Sequence, residues 1–332
     1  MKRIASLLGL LFLWVASAAA EPPLCKGTDL LAKLAAEDPA SYAQVMAEAK
    51  KTPNGEAMLW KIERQGVAPS WLFGTAHVTD PRVTSLPPQA VEALAGAQTV
   101  ALELKEIRNP QEMALASMKL ARLMVLPPDR SLWDLIPDDR EATIRDNINM
   151  PPGGGQTVFG YQPWVVAAML SIPICEYRRN QAGVPSLDES IARQAEAQGA
   201  ELVGLETVEE QLSVFASMPL DLQAKYLMAV AKFGDRAVDY FETLISLYSQ
   251  RLVTAYIPLS VRIEPPDDDT AAIMVFMEKE LTTRRNHVME RRAKDLLARG
   301  NAFIAVGAMH LPGDEGLVAL IRQAGYKVTP VN

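Results

Sequence analysis

A short apolar run that stops at a glycine, with a histidine three residues later, occurs twice in this sequence. It appears as WLFGTAH, with Gly74 and His77, and as AVGAMH, with Gly307 and His310. The chain has only 3 histidines, so the pattern uses most of them. Each frame continues alike. After His77 come a proline-containing turn, the helical stretch LPPQAVEALAGA and the short apolar run TVALEL. After His310 come LPG, a helical stretch and YKVTPV. Strand, helix and strand in that order form a right-handed βαβ unit with parallel strands. Two copies near opposite ends of the chain predict an α/β fold built as a pseudo-symmetric pair of βαβ-containing halves.

The region between the two frames reads as a large helical insertion at about 108–300. Helices are expected near 112–123, 139–148, 157–170 and 187–198, separated by Pro and Gly clusters such as PPGGG. Further helices are expected over 208–250 and 271–299, with a short strand at 200–207. Ahead of the first frame, 30–51 reads as one helix. Strands at 57–64 and 70–77 are joined by a turn around Gly66 and Pro69. A last helix is expected at 314–324. No linker divides the chain, so residues 21–332 read as a single domain.

The first 20 residues stand apart. Lys2 and Arg3 precede an apolar stretch at 4–15, and Ala18 and Ala20 suit cleavage before Glu21. The stretch is shorter than the roughly 20 residues that span a bilayer. This predicts a cleaved signal and a periplasmic or secreted protein with no stable membrane insertion. The whole chain carries a net charge of −7, and losing Lys2 and Arg3 makes it more negative. That argues against a nucleic-acid partner, which would need a basic face. Export into an oxidising compartment predicts a disulfide between the only 2 cysteines, Cys25 and Cys175. Two free thiols or a redox pair are the alternatives, the latter disfavoured by their separation.

Ligands of parallel sheets gather at the carboxyl ends of strands, where both repeated histidines fall. Two short strands also end in Leu-Glu, giving Glu103 in VALEL and Glu206 in VGLET. A carboxylate that closes a buried run needs a partner. Imidazole and carboxylate together suit a divalent metal, zinc included. His77 and His310 are therefore candidate ligands, with Glu103 as a third ligand or a general base. Glu206 supports the site or opens the following helix near its positive end. Arg284, Arg285 and Asn286 stand out in the helix around RRNHVM, and Arg285 with Asn286 are the candidates to position substrate or to back the ligands. His287 sits in a highly charged helix and reads as surface. No phosphate loop, nucleophile elbow or His-Glu-x-x-His helix is present.

The motifs LFGTAH, VALEL, SLDES, VGLETVEEQL, RRNHVM and AVGAMHLPGDEGLVALIRQAGYKV, in this order, resemble the TraB/GumN family, which includes the animal TIKI proteins. The resemblance covers about 55–331. It implies that the paired Gly-x-x-His motifs, Glu103, Arg285 and Asn286 correspond to the family's site residues. It also implies a metal-dependent protease favouring manganese or cobalt. The implied fold is similar to erythromycin-esterase-like (EreA) and ChaN-like proteins, with paired sheets among helices. A peptide or protein is the substrate so implied. The competing classes are a non-catalytic module that binds a peptide, a metal or haem, and a hydrolase of ester or glycan substrates.

Overall fold

The computed structural model describes residues 22–108, 110–148 and 157–331. The expected signal at 1–20 and the PPGGG cluster lie outside the described residues. The fold is mixed α/β, mostly helical, around one six-stranded sheet. Its strands are β1 (Leu59–Arg64), β2 (Val67–Thr75), β3 (Thr99–Leu102), β4 (Glu201–Gly204), β5 (Ala302–Gly307) and β6 (Lys327–Val331), in the order β4-β3-β5-β2-β1-β6.

Both repeated frames feed this single sheet, where the family resemblance implied paired sheets. The frames interleave. β5 pairs in parallel with β2 on one side and β3 on the other, so the last frame's strand lies inside the first frame's βαβ unit. β3 also pairs in parallel with β4. Only β1 runs against the rest, pairing antiparallel with β2 and β6. Four parallel strands therefore end along one edge in the order β4, β3, β5, β2.

β5 reads as an unbroken apolar run because both of its faces are covered. Side chains alternate across a strand. Ala302, Ile304 and Val306 pack with Met289, Ala293, Leu296 and Leu297 of the helix Arg284–Arg299. Phe303 and Ala305 pack with Leu94 of the helix Pro88–Ala95 and with Leu187 and Ile191 of the helix Leu187–Ala197. Helix Pro163–Leu170 and helix Leu220–Ala231 build a separate apolar cluster away from the sheet, with Leu132, Val166 and Leu227 at its centre.

Several boundaries differ from expectation for local reasons. The stretch 30–51 is two helices, Leu30–Glu37 and Pro39–Ala49, because Pro39 has no N–H to continue the ladder and Asp38 caps the second helix instead. The first turn is tighter than expected: Gly66 takes φ +77°, and Pro69 lies within β2. The stretch 208–250 splits into Val208–Ala216, Leu220–Ala231 and Ala237–Ser249 at Pro219 and Gly234. The stretch 271–299 is interrupted by a π-helical segment, Met277–Thr283. The last helix starts late, at Leu317, because Gly313 and Gly316 form a turn before it.

The N-terminal arm is bonded to the body by a disulfide between Cys25 and Cys175, with Cα atoms 5.3 Å apart. No described helix is long and apolar enough to cross a membrane.

Candidate functional site

The shared strand edge gathers the residues singled out in the sequence. Glu103 follows β3 directly, and its Oε1 accepts a 2.7 Å hydrogen bond from the Gly307 N–H at the end of β5. His77 Nε2 lies 3.5 Å from the same oxygen. His310 Nε2 lies 3.7 Å from it. Gly307 permits this approach: a Cβ there would fall 2.9 Å from His77 Nε2 and 3.2 Å from Glu103 Oε1. Gly74, its counterpart, serves packing instead. A Cβ there would meet Ala308 Cα at 3.0 Å and Leu311 Cδ2 at 3.1 Å.

Each imidazole is fixed from behind. Asp188 Oδ2 lies 2.9 Å from His77 Nδ1, and Thr75 Oγ1 donates to Asp188 Oδ1 at 2.7 Å. A carboxylate only accepts, so His77 carries a proton on Nδ1 and turns Nε2 to Glu103. Asn286 Oδ1 lies 2.6 Å from His310 Nδ1, and Asn286 Nδ2 donates to the Glu315 carbonyl at 2.8 Å. That second bond settles the amide orientation, so His310 also donates from Nδ1. The helix Arg284–Arg299 supplies Asn286 because Arg285 and Asn286 continue its buried stripe through Met289 and Ala293.

Arg285 joins the two carboxylates. Its Nη2 donates to Glu103 Oε2 at 2.7 Å and to Glu206 Oε2 at 2.6 Å, and its Nε adds a bond of 3.0 Å to Glu206. Gln211 Nε2 bridges the same pair at 3.1 and 3.2 Å. Glu206 meets Glu103 through the backbone too, its N–H donating to the Glu103 carbonyl at 2.8 Å. Arg285 follows the π-helical segment and donates to the Leu281 carbonyl within it at 3.2 Å.

The electrostatics separate the groups. Burial works against ionising Glu103, but His77, His310 and Arg285 outweigh it and hold the carboxyl well below its usual range. Burial likewise opposes charge on Arg285, and Glu206 and Glu103 overcome it. Burial pushes His310 down to about 4, with Arg285 and His77 adding to the effect against Glu103. Desolvation also opposes charge on His77 and is the largest single influence on it, although 55% of the side chain is exposed. Asp188 and then Glu103 prevail and raise it well above its ordinary value.

Among the described residues, no group of three or more His, Cys, Asp or Glu is placed so that it could hold a metal ion as it stands. The chemistry of the His77–Glu103–His310 set nevertheless fits a cation. His310 is neutral with its proton on Nδ1, so its Nε2 lone pair faces the Glu103 oxygen across 3.7 Å with no hydrogen between them. A cation satisfies two facing acceptors. Metal–nitrogen and metal–oxygen bonds of about 2.1 Å put tetrahedral ligands roughly 3.4 Å apart, close to these separations. Three carboxylates (Glu103, Glu206 and Asp188) stand against the Arg285 guanidinium and the protonated His77, and once His77 gives up its proton the remaining excess is one that a divalent ion balances.

All six residues singled out in the sequence thus fall in one network. His287 does not: it pairs with Glu315 at 2.7 Å on the surface. Sequence reasoning missed Asp188, Thr75, Gln211 and Tyr248, whose hydroxyl donates to the Gly74 carbonyl at 2.7 Å. Asp188 had a readable signal in SLDES. Ser186 and Glu189 form a capping box that starts the helix Leu187–Ala197 and sets Asp188 in its first turn.

The model of the TraB/PrgY/gumN family matches residues 58–330. Metalloprotease TIKI1 of Danio rerio is 27% identical over 83% of this chain and 64% of its own length. Metalloprotease TIKI2 of Danio rerio is 27% identical over 82% of this chain and 60% of its own. Metalloprotease TIKI1 of Homo sapiens is 25% identical over 82% of this chain and 61% of its own. The chain therefore spans less than two thirds of the length of these curated relatives. No solved structure matches.

Proposed function

The chain belongs to the TraB/PrgY/gumN family, and on that premise we propose that it is an exported hydrolase that uses a divalent metal ion to cleave peptide bonds. The observation that carries this reading is the meeting of two imidazole Nε2 atoms on one carboxylate oxygen, each ring fixed through Nδ1. His77 and His310 would hold the ion through Nε2, with Glu103 as the third ligand. When bound, manganese, cobalt or zinc supplies Lewis acidity that acidifies water and polarises a carbonyl.

The remaining residues prepare that set. Asp188 and Asn286 fix the imidazole tautomers. Arg285 keeps Glu103 anionic, and with Gln211 it occupies Glu103 Oε2. Both Glu103 oxygens are therefore engaged, which favours the ligand role over that of a mobile base. Glu206 anchors Arg285 through its buried carboxylate. The exposed flank of His77 is the side on which a substrate enters. In the same reading the two frames are related halves of one domain, 21–332, with 108–300 inserted and 1–20 removed on export. The disulfide supports an oxidising destination. The metalloprotease names of the relatives support a peptide or protein substrate.

Calorimetric titration of chelator-stripped protein with manganese, cobalt and zinc tests the centre. About one ion per chain is expected, lost in His77→Ala and in His310→Ala. A peptide library then tests the reaction, with Glu103→Ala expected to abolish cleavage. Absence of uptake by the unmodified protein, or undiminished uptake by both variants, sinks the metal reading. Uptake without cleavage of any peptide sinks the protease reading alone.

A further inference from the structure

His77 does not hold its own position. The loop that carries it, 77–84, is gripped two residues further on. The Thr79 N–H donates to Glu176 Oε1 at 2.6 Å, and its hydroxyl donates to Glu176 Oε2 at 2.9 Å. Arg179 closes the grip, Nε donating to Thr79 Oγ1 at 3.0 Å and Nη2 to the Thr79 carbonyl at 3.1 Å. Thr79, Glu176 and Arg179 are all buried. Both gripping residues sit on one short helix, Ile174–Gln181, whose next residue in the chain before Glu176 is Cys175.

Cys175 is bonded to Cys25, and Arg179 Nη1 takes the Pro22 carbonyl at 2.8 Å, so the N-terminal arm is fastened to this helix at two points. The arm is itself wedged against the helix Ala237–Ser249. A Cβ on Gly27 would fall 2.2 Å from the Val238 carbonyl oxygen, and the Thr28 N–H donates to Asp239 Oδ1 at 2.6 Å. Cys25 packs beside Val78 and Val83 of the loop and Phe241 and Ile245 of that helix, with Cys175 at the edge of the cluster. The His310 loop has no covalent counterpart: its described anchors are hydrogen bonds, from Asn286 to Glu315 and from the Gly313 N–H to the Pro53 carbonyl at 2.8 Å.

We propose that the Cys25–Cys175 bond, acting through Glu176, Arg179 and Thr79, sets the position of His77, so that the oxidation state of this one bond controls whether the strand-edge site is complete. Cys25, Cys175, Glu176, Arg179 and Thr79 are positioning residues and touch no reacting atom. Cys175 is partly exposed, which gives a reductant access. Reduction by a dithiol proceeds through a mixed disulfide. The reagent gives up two electrons and two protons, closes to its own disulfide, and leaves Cys25 and Cys175 as thiols. The inference for metal uptake rests on the metal reading above; the inference for the position of His77 does not.

The test compares the oxidised full chain, the same protein reduced with dithiothreitol and then reoxidised, and Glu176→Gln, which loosens the grip while leaving the disulfide intact. Amide hydrogen exchange is followed at 78–84 and at 308–313, and manganese binding by calorimetry. Reduction is expected to speed exchange at 78–84 about tenfold, with 308–313 unchanged. Manganese affinity is expected to fall roughly tenfold or more, as for loss of a group that orients a ligand. Reoxidation restores both, and Glu176→Gln reproduces the loss in part. Unchanged exchange at 78–84 overturns the proposal whatever the metal does. Faster exchange with unaltered manganese affinity also overturns it. Faster exchange in a protein that takes up no manganese when oxidised supports the hold on His77 and removes the metal reading instead.

Discussion

The two Gly-x-x-His frames carry the same pattern and are supported in opposite ways. His310 is enclosed, with 8% of its side chain exposed, and is oriented by a residue of the helix that packs on its own strand. His77 keeps 55% of its side chain exposed and depends on Asp188, Glu176 and Arg179, all brought from about a hundred residues further along the chain. Even the frame glycines diverge, one opening space for the site and the other for packing. A repeated motif therefore fixes where a side chain stands relative to its strand. Its neighbours decide how it is held and what charge it carries.

The sharpest break of this comparison is at the glycines. Gly307→Ala places a methyl between His77 and Glu103, and manganese affinity should fall by more than about 100-fold, the upper end for a disturbed ligand shell. Gly74→Ala should instead cost about 1–3 kcal/mol of stability through overpacking against Ala308 and Leu311, with manganese affinity within severalfold of the parent. Calorimetry and thermal unfolding on both variants separate the two roles; equal losses of metal binding would make the glycines equivalent.

A smaller difference lies behind the rings. Asp188→Asn should weaken metal binding roughly 10–100-fold, because it withdraws the carboxylate that sets the His77 tautomer. Asn286→Asp retains an acceptor for His310 Nδ1 and should change affinity less than about tenfold. The reverse order would mean that His310, not His77, depends more on its partner.

The finest distinction is a proton count. His77 has a raised pKa, so near neutral pH it enters metal binding charged and must release a proton from Nε2. His310, held at about 4, is already neutral and releases none. Uptake should therefore expel about one proton per ion near neutral pH, and affinity should climb with pH until the raised His77 pKa is passed. Calorimetry in buffers of different ionisation enthalpy measures the count. None, or two, would erase the electrostatic contrast between the frames.

The strand ends were legible because a buried run that stops at Glu103, Glu206 or Gly307 leaves a local mark in the sequence. Arg285 and Asn286 were singled out by their chemistry and by the family resemblance, in a helix otherwise read as a charged, solvated face. What was hidden is long-range. Nothing local states that β5 enters between β2 and β3, so two side-by-side halves were expected where one interleaved sheet is found. Asp188 and Gln211 sit in ordinary first-turn and helix positions, and only the tertiary approach of their helices gives them partners. Helix breaks at Pro39 and Pro219 were readable from the missing N–H and were passed over in favour of the longer apolar pattern.

The place of β5 in the sheet also governs the order of assembly. β2 and β3 emerge early during synthesis, yet each must leave one edge of backbone N–H and C=O groups unpaired until residues 302–307 arrive to join them. Parallel pairing across so many residues is slow to form, and open strand edges invite association with other chains. A nascent chain is therefore exposed to aggregation for most of its translation. The strand-edge cluster of His77, Glu103 and His310 would come together in a single late step, when the strand that brings His310 also closes the gap.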